Sequence, residues 1–129
     1  MRQQHALSIA LALAFFMIGV VGCSKSSPKS TLEAMCAAHK NKDVEAYKKT
    51  LSADTLKEFE KEASEDHHSV NELIEGLFTL EPCPTPLETR GQSIDGDTGV
   101  IEMKTRYYSW DKVFFIKENG EWKYDLKKN

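Results

Sequence analysis

The sequence predicts an α+β domain in which helices come first and a four-stranded antiparallel sheet follows. Two patterns carry that prediction. Between 27 and 80, apolar residues return every three or four positions behind residues that cap helices; from 99 onward they alternate with polar ones. Pro82, Pro84 and Pro86 separate the two patterns. Each lacks a backbone donor and restrains the residue before it, so the helical half must stop there. The 129 residues suit one domain and leave no room for a two-domain enzyme. With 40% hydrophobic residues the chain is too apolar to stay disordered. Its formal charge of −3 argues against a nucleic-acid partner, which would call for clustered Lys and Arg.

The elements follow in order. Ser27-Pro28 supplies a helix cap and then proline at the first helical position, where its missing N–H is harmless. Leu32, Met35, Cys36 and His39 share one face of that helix. Asn41-Lys42-Asp43 breaks it, and Val44, Tyr47 and Leu51 mark a second, short helix. Ser52 caps a third, with Leu56, Phe59 and Ala63 along one stripe. Ser69 and Glu72 have the spacing of a capping box for a fourth, which carries Val70, Leu73, Ile74, Leu77 and Phe78. Leu87–Ile94 is a weak first strand running into the turn Asp95-Gly96-Asp97. In the second strand Ile101, Met103, Thr105 and Tyr107 point one way and Glu102, Lys104 and Arg106 the other. Trp110–Lys117 is the third. The Asn119-Gly120 pair favours a tight hairpin into the fourth, where Trp122, Tyr124 and Leu126 alternate with Lys123 and Asp125.

Ahead of this domain stands an address. Met1–His5 carries one fixed positive charge, and Ala6–Val21 is apolar apart from Ser8 and Gly19. That block falls short of the roughly 20 apolar residues that cross a bilayer comfortably, and fits the core of a secretory signal. Val20-Val21-Gly22-Cys23 resembles the lipobox of bacterial lipoproteins, with Val20 where that family more often has Leu. The resemblance implies a signal peptide over 1–22, a lipidated Cys23, and a tether over 23–27 that leads into a domain over 28–129. A cleaved signal with a coincidental Cys is the other reading. Arg2 is the only charged residue before Cys23, so the stretch from Cys23 onward keeps 16 basic against 20 acidic side chains. Acyl chains supply membrane affinity at about 0.8 kcal/mol per buried methylene, whereas an acidic domain as a whole is not expected to lie flat on anionic lipid. Ser24 directly after the Cys resembles the pattern exported to the outer membrane in two-membrane bacteria, where the domain would face the periplasm.

Cys36 and Cys83 remain, an even number in an oxidising compartment. A disulfide between them is the reading carried forward. Two separate buried thiols are the alternative.

The Ser-Pro helix start, the break before Val44-Glu45-Ala46-Tyr47 and the hairpin Asn119-Gly120-Glu121-Trp122-Lys123-Tyr124-Asp125 arrive in an order that resembles small exported lipoproteins of the nuclear transport factor 2-like, or cystatin-like, superfamily. The resemblance spans about Ser27 to Leu126. It implies helices packed on the concave side of a curved four-stranded sheet, forming a cone with an open end. It implies no activity, because the superfamily holds isomerases, dehydratases and proteins that only bind.

Two functions are consistent with these residues. One is a lipid-anchored envelope protein, non-catalytic, that binds a small apolar ligand or a partner protein. The other is a cavity enzyme of isomerase or dehydratase type with an unidentified general base. Tyr107, Trp122 and Tyr124, large apolar surfaces with polar tips, are expected to line the pocket, the alternative being that they fill the space between sheet and helices and leave no cavity. His39 could point into the pocket, but a His on an apolar helical face is more often packed and hydrogen-bonded in the core. Glu65-Asp66-His67-His68 reads as a solvated loop, because neighbouring loop residues diverge where a metal needs converging ligands. No cofactor is expected. Replacement of Cys23 by Ser should leave an unprocessed or soluble species in place of an acylated, membrane-bound one. An unmodified Cys23 in the mature protein, read by mass spectrometry, would contradict the anchor.

Overall fold

Capping decides where each helix begins. In the computed structural model, which describes residues 26–126, the helices are α1 (Pro28–Asn41), α2 (Val44–Lys49), α3 (Ala53–Glu65) and α4 (Val70–Leu80). Cys23 and the signal lie outside the described residues. The side chains of Ser27, Asp43, Ser52 and Ser69 each accept a backbone N–H three residues on, satisfying donors that a helix start leaves unpaired. The box expected at Ser69 closes: the Glu72 carboxylate accepts the Ser69 N–H at 2.7 Å, and this bond holds its pKa below the usual carboxylate value. α1 closes with Lys42 in the left-handed region, φ 54°.

The strands are β1 (Thr89–Asp95), β2 (Thr98–Lys104), β3 (Trp110–Glu118) and β4 (Glu121–Tyr124), paired antiparallel in sequence order. The sheet is open, with β1 and β4 at its edges. Register slips between Arg90 and Ser93, a bulge in β1. Asn119 and Gly120 both have positive φ, 50° and 79°, as the tight hairpin between β3 and β4 requires. Two expectations need correction. β2 ends at Lys104, so Thr105 and Tyr107 do not continue its inward face. Tyr108 N donates to Thr105 O at 3.0 Å and Thr105 N to Ser109 O at 2.8 Å, folding Thr105–Ser109 into a turn. Residues of a turn had continued the alternation of a strand. Leu126 lies beyond β4 and is 36% exposed.

Two clusters of buried side chains form the core. Met35, Ala38, Tyr47, Leu51, Phe59, Ile74 and Phe78 knit the helices together. Leu32, Ile101, Val113, Phe115 and Trp122 join α1 to the sheet. Phe115, Ile74 and Ile101 are fully buried, and each such side chain is worth about 1.5–3 kcal/mol relative to exposure. α1 serves both clusters and contacts β1, β2 and β4, while α4 packs on α3 and α2. Cys36 on α1 pairs with Cys83 beyond α4 at disulfide distance, with Cα atoms 5.5 Å apart.

The outer edge of β4 joins the two halves. Trp122 N donates to Ser26 Oγ at 3.1 Å, and Trp122 O accepts from Thr31 Oγ1 at 2.9 Å. Tyr124 N donates to Thr50 O at 2.7 Å, and Tyr124 O accepts from Ser52 N at 2.8 Å. Thr55, wholly buried, donates to Tyr124 O at 3.3 Å and accepts from Leu126 N at 2.9 Å and Ser52 Oγ at 2.8 Å. Glu118 of β3 receives the Ala53 N–H at the start of α3. Thr55→Val keeps the shape but deprives Leu126 N–H and the Ser52 hydroxyl of their acceptor. It should destabilise the protein by about 1–3 kcal/mol in urea unfolding, with Thr55→Ser recovering most of the loss.

Candidate functional site

The four residues expected to line one pocket are dispersed. Trp122 is 5% exposed and packs in the cluster beneath α1, with Gly99 of β2 so close that a Cβ there would stand 3.1 Å from the indole and 2.8 Å from Pro28. Tyr124 touches both core clusters, and its ring meets Phe115 edge-on at 6.3 Å. His39 is 8% exposed, packs edge-on against Phe78 at 4.9 Å, and has Nε2 3.3 Å from Leu77 O. Tyr107 is 74% exposed in the turn after β2. Aromatic type and strand alternation marked three of these as inward; only the packing of helices on the sheet decides which share a cavity, and these do not.

Three features stand in their place. The first is an open groove of about 710 Å³ between α1 and the β3–β4 hairpin. Trp122 and Ala34 are its apolar lining; the rest is mainly polar, including Ser26, Thr31, Lys49, Lys117, Glu121 and Lys123. The Lys123 ammonium sits between Glu121 Oε2 at 2.9 Å and Lys49 O at 2.5 Å, and this contact lowers the Glu121 pKa. The Lys117 ammonium stands 5.9 Å from the centre of the Trp122 ring. The second is a recess of about 400 Å³ beside the Cys36–Cys83 pair, which His39 also lines.

The third is the tip of the β2–β3 hairpin. Tyr107 and Tyr108 are 74% and 82% exposed. Their turn is braced internally, with Thr105 Oγ1 and Ser109 Oγ 2.7 Å apart and Tyr107 N donating to Thr105 Oγ1 at 3.2 Å. Tyr108 holds a left-handed φ of 64°, uncommon for a bulky residue. Cations cover the rings: Arg106 lies 4.8 Å from the centre of Tyr107, Lys104 5.7 Å from Tyr108 and Arg90 4.1 Å from the neighbouring Trp110. Glu102 and Glu88 fix Arg90 and Lys104 in turn, each at 3.1 Å. The run Arg106-Tyr107-Tyr108 was visible in the sequence, but only as the end of a strand.

At the other loops, Asp66-His67-His68 turns with His67 at φ 58°, and no three His, Cys, Asp or Glu side chains converge on a metal position among the described residues. No protein-family model matches the chain, and no curated protein or solved structure matches it either.

Burial, with Tyr124 and Glu81 adding to it, pushes the Tyr47 hydroxyl up from 10 to about 12. A folded-state pKa above the unfolded one means that the unfolded chain loses its proton first as pH rises. Tyr47 therefore adds stability below pH 10 that is lost between about pH 10 and 12, on the order of 2–3 kcal/mol in all. Tyr47→Phe should flatten that alkaline decline in denaturation curves measured across the interval.

Proposed function

We propose that this is a lipid-anchored envelope protein whose domain, of nuclear transport factor 2-like type with helices over the concave side of a curved sheet, binds a partner protein without catalysis. The hairpin tip carries the reading. Two tyrosines stand out in solvent on a turn held by its own hydrogen bonds, each faced by a cation. Tyr, Trp and Arg are the residues that dominate binding energy at protein interfaces. A side chain already fixed before binding loses little further entropy on docking.

The larger groove is open and lined about equally by polar and apolar surface, which favours a partner protein over a small apolar ligand, because such a ligand needs a mostly apolar enclosure. A cavity enzyme needs a titratable group on a cavity floor. His39 lines the smaller recess, but it is buried and engaged with Phe78 and the Leu77 carbonyl.

A photo-crosslinking residue in place of Tyr108 in the envelope-bound protein should give an adduct of discrete mass. Tyr107→Ser combined with Arg106→Ser should lower its yield about fivefold or more. The same pair should leave unfolding free energy within about 0.5 kcal/mol, because both side chains are exposed. A diffuse ladder, or an adduct indifferent to those substitutions, would overturn the proposal.

A further inference from the structure

The groove between α1 and the β3–β4 hairpin opens beside Ser26, three residues after Cys23. Three residues of chain reach at most about 10 Å. With Cys23 acylated, the Ser26 end of the groove therefore lies within roughly one Debye length of the lipid surface, where charges still act on one another. Its lining has an excess of cations. Lys49, Lys117 and Lys123 face a single lining carboxylate, Glu121, and Lys123 already engages it at 2.9 Å. The Lys123 ammonium uses two of its three donors, on Glu121 and Lys49 O, and keeps one. Lys49 and Lys117 meet no other carboxylate of the lining, and the groove is roomy enough at about 710 Å³ for a phosphodiester headgroup.

The net negative charge of the domain predicts repulsion from anionic lipid when the domain is treated as a uniform body. The groove concentrates the opposite sign at the end where the chain leaves for the membrane. We propose that Lys49, Lys117 and Lys123 bind the phosphates of anionic phospholipids in the membrane that holds Cys23, so that the groove faces the bilayer. This rests on the lipid-anchor reading. β3 runs from Trp110 at the hairpin tip to Lys117 at the groove, about 23 Å at the rise of a strand, so the tyrosines are displayed well away from the lipid-binding end.

The test uses the acylated protein reconstituted on vesicles of phosphatidylcholine alone or of an equal mixture with phosphatidylglycerol. Lysine acetylation rates are read by mass spectrometry. Lys49, Lys117 and Lys123 should react about threefold or more slowly on the mixed vesicles, with Lys61 of α3 unchanged, and high salt should remove the difference. The variant Lys49→Gln/Lys117→Gln, whose two positions are on the surface, should lose the protection at Lys123. Failure of the protein to float with phosphatidylcholine vesicles would refute the anchor and the proposal together. Flotation with equal lysine rates on both vesicles would leave the anchor standing and overturn the groove. Equal protection by free glycerol phosphate on neutral vesicles would assign the site to a soluble phosphate and overturn the membrane source, as would protection of Lys123 that survives in the variant.

Discussion

A sheet edge cannot be left with its backbone donors and acceptors turned toward a hydrophobic neighbour, and the outer edge of β4 is where this chain meets that constraint. Trp122 gives its N–H and C=O to Ser26 and Thr31, and Tyr124 gives its own to the Thr50–Ser52 link. An unmade bond at a buried backbone group costs about 1–3 kcal/mol, comparable to the burial of a large side chain. The helical half is therefore held to the sheet by directional bonds as well as by apolar contact. This arrangement places α1 across the sheet, puts Thr55 in a wholly buried position, and leaves beside Ser26 the groove in which the lysines gather.

The seam also divides the molecule by chemistry. On one side, Cys36 and Cys83 stand at disulfide distance and bring α1 against the proline-rich segment after α4. On the other, the sheet carries its exposed aromatic residues at one end and its groove lysines toward the other. The two halves share Tyr124, which touches both clusters, and Leu32, which gives α1 its hold on the sheet. A surface that needs rigidity is best carried by a regular hairpin. A surface that meets fluid lipid needs only charge at the right height.

Much of this architecture was legible because it is local. A capping serine, a Pro at the first helical position and an Asn-Gly pair act within three or four residues, and Ser27, Ser69 and Asn119-Gly120 behave as their neighbours dictate. Cys36 and Cys83 stand at disulfide distance, as the even number of remaining thiols led us to expect. Less legible was whatever depends on distant partners. The alternation of Ile101, Met103, Thr105 and Tyr107 concealed a strand end, because a turn closed by hydrogen bonds between Thr105 and Ser109 has no hydrophobic signature. Trp122 and Tyr124 were marked as pocket residues by their type, with core filling as the alternative; both pack in the core, and Trp122 also lines the groove beside α1. His39 lay on the apolar face expected of it, and the Leu77 carbonyl that occupies it comes from another helix.

The bulge in β1 has a consequence for how copies of the protein meet. Among the described residues the outer side of β1 is paired by no other strand, and six of its seven residues are exposed. An unprotected edge of that length invites a second molecule to extend the sheet, and a third after it. The register slip between Arg90 and Ser93 breaks the even spacing that such an addition would need, while Arg90 and Asp95 place a charge on either side of it. The irregularity that makes β1 the least regular strand thus works against extension of the sheet by a second copy in full register.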